Sequence, residues 1–237
     1  MIVPFDEDYK QTKKIKLGET TIKSEFREFA MWIDQNYQVN TLNIFYDTID
    51  RGKRPRLEII FEFESESIKF KEKRSRNFDR EKQNDIAKKF KQILLEQGFI
   101  TPDDHCDLSE KTPKKNYLTE NIIVSCGAFE PVARIETILN IPEEKIDDLA
   151  KSINSKDLWK ISRCLCSDSV TFFLFTDTQL EDYKNSETQK EWASMFFDIL
   201  EPYNEFGYFK KNEFSISLVS KENLDNNYEG SLFYYYR

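Results

Sequence analysis

Apolar residues along this chain switch between two periods, and each switch marks a change of element. Ile22, Phe26, Phe29, Ala30, Ile33 and Tyr37 recur at steps of three and four, which predicts an amphipathic helix over 21–37. Leu42, Ile44 and Tyr46 then alternate with polar positions, and Leu57, Ile59, Phe61 and Phe63 alternate against Arg56, Glu58 and Glu62. That is the period of strands with one buried face. The link Ile49-Asp50-Arg51-Gly52-Lys53 is rich in turn formers, so the two runs are expected to pair as an antiparallel hairpin with Glu58 and Glu62 on its solvent side. A short third strand is expected near Ile68 and Phe70.

Asp79 is placed to cap a helix with Ile86, Ala87, Phe90, Ile93 and Leu94 on one face, and Gly98 stands where a helix C-terminus favours glycine. Residues 101–119, polar and carrying Pro102 and Pro113, read as a long loop, and 121–126 as a strand. Pro142 opens a helix with Ile146, Leu149, Ala150 and Ile153 inward. Ser155 is a candidate cap for a further helix carrying Leu158, Ile161 and Leu165.

Residues 170–176 are apolar on both faces, the pattern of a central strand. A loop is expected from Asp177 to Tyr183, and Ser186-Glu187-Thr188-Gln189 is a capping box before Trp192, Phe196, Ile199 and Leu200. Phe214, Ile216 and Leu218 alternate as a strand, and 232–236 is expected to close as another. The aromatic runs Phe196-Phe197 and Tyr234-Tyr235-Tyr236 are expected in the core.

This order predicts an α+β protein: layered, mostly antiparallel sheets packed with amphipathic helices. Two halves, 1–126 and 127–237, are expected, either as separate domains or as one continuous domain. They show a hint of internal repetition, because Phe45-Tyr46-Asp47-Thr48 and Phe175-Thr176-Asp177-Thr178 share the pattern aromatic-x-Asp-Thr.

Composition narrows the chemistry. The chain has 237 residues with 20 Phe and 11 Tyr, enough to build a real core, but only 6 Gly and 7 Pro. It contains neither G-x-G-x-x-G nor G-x-x-x-x-G-K-[ST], so both standard glycine-rich phosphate cradles are missing. No apolar run reaches signal-peptide or membrane-span length. The four cysteines, Cys106, Cys126, Cys164 and Cys166, are therefore expected as thiols in a reducing cytoplasm.

His105 is the only histidine, in Asp103-Asp104-His105-Cys106-Asp107. Triad and two-histidine metal chemistry need an imidazole fixed beside its partners, and nothing in that polar run fixes it. The one-residue gap of Cys164-x-Cys166 is shorter than zinc sites use, so these two thiols are expected to straddle a helix end as packing residues. No catalytic residue, metal ligand or cofactor is assigned.

Charge is uneven. Residues 51–91 hold 14 Lys/Arg and 8 Asp/Glu, a balance of +6, within a chain of net charge −8. Arg51, Lys53, Arg54 and Arg56 flank the hairpin turn as candidate polyanion contacts, and Lys69, Lys71, Lys73, Arg74 and Arg76 form a second cluster. In the acidic half, Asp177, Glu181, Asp182 and Tyr183 combine carboxylates with an aromatic anchor, the composition of a surface that meets a basic protein. The leading expectation is a non-catalytic protein-binding or inhibitor module of the immunity or antitoxin kind, facing a basic partner and no membrane. A nucleic-acid-contacting protein using 51–91 is the second expectation, and a carboxylate or metal hydrolase the third.

Overall fold

The computed structural model describes residues 3–52, 54–72, 77–100 and 117–237, and the chain divides into two compact units that meet between Glu130 and Pro131. Each unit is α+β, built on its own three-stranded sheet.

The first sheet starts from the hairpin. Asp50 and Arg51 both adopt left-handed φ, 53° and 59°, and the Gly52 N–H closes the turn on the Ile49 carbonyl at 3.1 Å. Gly52 is left-handed as well, with φ of 84°, and the strands meet at the Ile49–Arg54 pair. Strand β1 (Thr41–Ile49) and β2 (Arg54–Phe61) therefore pair antiparallel, and β3 (Ile123–Ala128) joins β2 in parallel on its other side. Among the described residues, the β2–β3 crossover carries helices α3 (Glu64–Ile68) and α4 (Arg80–Glu96).

Leu57, Ile59 and Phe61 pack into one cluster with Phe26, Phe29 and Ile33 of helix α2 (Ser24–Tyr37) and Ile86, Phe90 and Leu94 of α4. The other face is closed as well. Ile60 is fully buried, as are Tyr9 and Thr12 of helix α1 (Glu7–Lys16). Thr12 Oγ1 accepts from Asn43 Nδ2 at 3.2 Å, and Tyr9 stacks on Phe129 with ring centroids 5.2 Å apart. Sealing both faces removes far more apolar surface from water than a one-faced hairpin would.

The second unit repeats the plan. Helix α5 (Phe129–Leu139) leads into α6 (Glu143–Ile153), and β4 (Leu158–Arg163) and β5 (Val170–Leu174) pair antiparallel. Helices α7 (Asp177–Tyr183) and α8 (Glu187–Leu200) follow, and β6 (Ser217–Ser220) then joins β5 in parallel. Phe172 and Leu174 face a core with Ile146, Leu149, Trp192, Phe196 and Leu200. On the opposite face Phe173 meets Trp159 and Tyr235 edge-on at 5.8 and 5.6 Å. Tyr235 belongs to helix α10 (Leu232–Tyr235), which follows α9 (Lys221–Tyr228).

Correspondence between the two sheets extends to single residues. Strand order and direction match, and both antiparallel ladders, the longer ladder in each sheet, carry a register shift at their first residues, between Thr41 and Asn43 and between Leu158 and Lys160. Helices α2 and α6 both end on a left-handed residue, Gln38 and Asn154. Glu66 in α3 and Gln179 in α7 each reach back three residues to accept a backbone N–H, from Phe63 at 2.8 Å and Thr176 at 2.9 Å. The two units thus match in architecture, but the aromatic-x-Asp-Thr pattern does not mark equivalent positions: Asp47 and Thr48 lie in the outer strand β1, whereas Asp177 and Thr178 follow the central strand β5.

Several expected elements differ. The third strand near Ile68 and Phe70 is helix α3, with only an isolated bridge from Lys71 to Phe78. The expected helix after Ser155 is strand β4: Ser155 Oγ accepts the Asp157 N–H at 3.2 Å in a tight turn, and Ile161 enters the core as a strand residue opposite Phe172. The expected 177–183 loop is helix α7, because Thr176 Oγ1 caps the Gln179 N–H at 3.2 Å. The expected terminal strand at 232–236 is helix α10, capped by Ser231. Half of the predicted capping box forms at α8. Ser186 accepts from the Gln189 N–H, whereas the Gln189 amide goes to the Asn185 N–H and the Ile216 carbonyl. Glu58 and Glu62 are not solvent-facing, because α1 covers their side of the sheet. Glu62 is 7% exposed and pairs with Lys16 at 2.5 Å and Asn40 at 2.6 Å.

Candidate functional site

Helix α7 sits where β5 leaves its sheet, and the fold fixes it at both ends. The Asp177 N–H donates to Glu222 Oε2 at 3.0 Å, and the Asp177 carboxylate accepts from Ser220 Oγ, so Asp177 ties α7 to β6 and α9. Tyr183 turns inward. Its ring stacks on Trp192 at 5.1 Å, and its hydroxyl donates to Asp157 at 3.1 Å. Of the four residues singled out in this segment, two are therefore occupied in holding the helix. Glu181 and Asp182 remain exposed on its outer side, with Lys184 3.8 Å from Glu181.

A groove of about 330 Å³ is lined by Leu180, Lys184, Asn185, Gln189 and residues 216–218; the acidic pair lies between Leu180 and Lys184 in sequence and is not part of the lining. Strand β6 forms its floor and is an edge of the sheet. An edge strand presents backbone donors and acceptors that an extended segment of another chain can pair with. Residues 131–237 hold 12 Lys/Arg against 19 Asp/Glu, a balance of −7, so nearly all of the net charge of −8 lies in this unit. Sequence reading picked out the acidic pair and missed the groove, because β6 is only four residues long and the lining joins two stretches, 180–189 and 216–218, that are distant in sequence.

The basic turn is less uniform than its sequence. Arg56 is held bidentate by Asp47, at 2.9 and 2.5 Å, which neutralises it and raises its affinity for its proton. Arg51 is exposed at the turn apex, and the exposed Arg54 donates to the Asn121 carbonyl at 3.4 Å. Lys53 lies outside the described residues, as do Lys73, Arg74, Arg76, His105 and Cys106. Lys69 donates to the Gln38 carbonyl at 2.6 Å, a structural use.

On the α1 side of the first sheet, Arg56 is also 3.9 Å from Glu58. Burial pushes the Glu58 carboxyl above its usual range, with Arg56 opposing and the carboxylates of Asp8 and Asp47 assisting. Asp8 is raised for the same leading reason. Carboxylates gathered around a guanidinium form a charge network that the alternation of β2 did not reveal, since Asp8 arrives from α1.

The thiols also have distinct settings. Cys126 donates to the Ser67 carbonyl at 3.6 Å, and burial pushes its pKa up to about 11. Cys164 and Cys166 are not at a helix end. They lie in the β4–β5 turn, the first buried and the second exposed. Among the described residues, no group of three or more His, Cys, Asp or Glu side chains is placed to share a metal ion, and no helix is long and apolar enough to cross a membrane. No family model matches the chain, and comparison with curated proteins and with solved structures returned no match.

Proposed function

We propose that this protein is a non-catalytic binding module of the immunity or antitoxin kind, whose second unit holds a basic protein partner in a reducing cytoplasm. One observation carries the reading. Glu181 and Asp182 are exposed on the segment whose Leu180 and Lys184 line a groove beside edge strand β6, in the unit that holds most of the net negative charge. Acidic side chains steer a cationic partner toward the surface and accelerate encounter. The groove then supplies what charge alone lacks: apolar contact from Leu180, Ile216 and Leu218, and strand backbone for pairing.

The test is co-expression with the product of the adjoining reading frame, followed by copurification at low and high salt. A basic product is expected to copurify with the wild-type chain and to be lost from the Glu181→Lys/Asp182→Lys variant. Equal recovery with both chains sinks the site, and a partner that is not basic sinks the reading.

Nucleic-acid contact through Arg51, Lys53 and Arg54 is the second reading, favoured by the exposure of Arg51 and Arg54 at the hairpin apex. With Arg56 committed to Asp47, few phosphates are engaged, so any such binding is expected to be weak and to have a shallow salt dependence.

A further inference from the structure

We infer that Cys164 and Cys166 are a dithiol that exchanges with low-molecular-weight disulfides, closing an intramolecular disulfide in the β4–β5 turn. Their sulfurs lie 2.9 Å apart, and a disulfide bond is about 2.05 Å, so bond formation asks for an approach of roughly 0.9 Å. The two sulfurs share hydrogen-bonding capacity. The Cys166 N–H donates to Cys164 Sγ at 3.4 Å, and the polar groups of Ser167 also favour an anion there. Donors gathered on one sulfur favour its thiolate. Cys164 is accordingly drawn below the ordinary thiol range by these hydrogen bonds, although its burial alone pushes the other way. Cys166 is pushed above that range by its hydrogen bond to Cys164, so the pair loses its first proton as a unit.

Accessibility divides the labour. Cys166 is exposed and flanked by Leu165 at 80% exposure, whereas Cys164 is 4% exposed. The neighbouring charge, Asp168, is paired with Arg134 at 2.6 Å, which lessens its repulsion of an anionic reagent. In the first step the singly deprotonated pair reacts through its accessible sulfur: with the shared proton held on Cys164, the Cys166 thiolate attacks one sulfur of R–S–S–R. A Cys166–S bond forms, the reagent's S–S bond breaks, and RS⁻ leaves. In the second step the Cys164 thiolate attacks Cys166 Sγ, and the second RS⁻ departs. The two protein thiols are oxidised to one disulfide, the reagent is reduced to two thiols, and the two thiol protons end on those products. This activity is independent of partner binding at β6.

The test uses the full chain with Cys106→Ser and Cys126→Ser, oxidised glutathione as the disulfide, and exclusion of air. Intact mass is expected to fall by the two hydrogens lost, with both free thiols consumed and the disulfide mapped within one tryptic peptide, 164–184. Cys164→Ser, or Cys164→Ala in its place, is expected to stop at a stable glutathione adduct on Cys166. Cys166→Ser is expected to react at least about tenfold more slowly, because its remaining sulfur is buried. Unchanged free thiols, or a glutathione adduct that persists on Cys166 while Cys164 is present, overturns the inference.

Discussion

Glu130 and Glu222 occupy the same post in the two units. Each begins the helix that follows its third strand, donates its N–H to the residue just past the central strand, and turns its carboxylate toward the first N–H of the crossover helix. The backbone bonds run to Glu62 at 2.9 Å and Phe175 at 3.1 Å, and the carboxylates meet the N–H groups of Glu64 at 3.5 Å and Asp177 at 3.0 Å. The shorter contact, on α7, is the stronger one. Glu222→Ala is expected to cost about 1 kcal/mol by orphaning the first N–H of α7, Glu222→Gln less, and Glu130→Ala least. Urea denaturation of the three variants checks the order, and an equal loss for Glu130→Ala and Glu222→Ala would contradict it.

Arg163 is expected to be far more sensitive than the acid it pairs with. Its Nη1 donates to the carbonyls of Ile138 at 2.9 Å, Leu139 at 3.1 Å and Ile141, closing the end of α5, and its Nη2 reaches Glu143 at 2.7 Å. Removing Arg163 leaves several terminal carbonyls without their donor, whereas the Glu143 carboxylate is 60% exposed. Arg163→Ala should cost about 3 kcal/mol and Glu143→Ala at most about 1 kcal/mol. Thermal melting distinguishes the two, and similar shifts would show that the ion pair, not the carbonyl cluster, is what matters.

The Glu58 carboxyl has a folded pKa raised above its unfolded value, chiefly by burial. A carboxyl in that state favours the fold when protonated. Its cost is absent below the unfolded pKa and sets in as pH rises through the unfolded and then the folded value. Glu58→Gln is therefore expected to be more stable than wild type at pH 7, with the difference closing as pH falls below about 4. Paired denaturation curves across that range test this. A less stable variant at pH 7 would mean that the attraction of Arg56 outweighs burial.

Much of the fold could be read from the chain wherever period and cap agreed. Helix α4 is the clearest case: the Asp79 carboxylate accepts the N–H groups of Glu81 and Lys82, and Gly98 follows its end with φ of 73°. The all-apolar β5 was readable as a central strand, for it is buried along its whole length. Misreadings arose where apolar residues fitted two periods at once. Leu158, Ile161 and Leu165 have helical spacing, yet pairing with β5 decides the conformation, and Leu165 ends up exposed in the turn. In the 232–236 run, the Ser231 cap outweighs the strand preference of tyrosine. Helix α1 gave almost no signal, since only Tyr9 and Thr12 are buried. The acidic pair of the candidate site was legible as composition, but the use of Tyr183 within the core was not, because its partners Asp157 and Trp192 lie in other elements.

The parallel third strand sets a timetable for synthesis. Ile123 pairs with Arg56, which left the ribosome 67 residues earlier, an interval of roughly 3 to 13 s at ordinary elongation rates. Throughout that wait Leu57, Ile59, Ile60 and Phe61 offer an open hydrogen-bonding edge to any other nascent chain. Arg54 and Pro55 stand at the start of that edge, one charged and one without an N–H to donate, and both discourage pairing with strangers. Pro55 is paired with Thr48 of β1 and lies one residue before the β2–β3 ladder begins, so that ladder loses no donor to it.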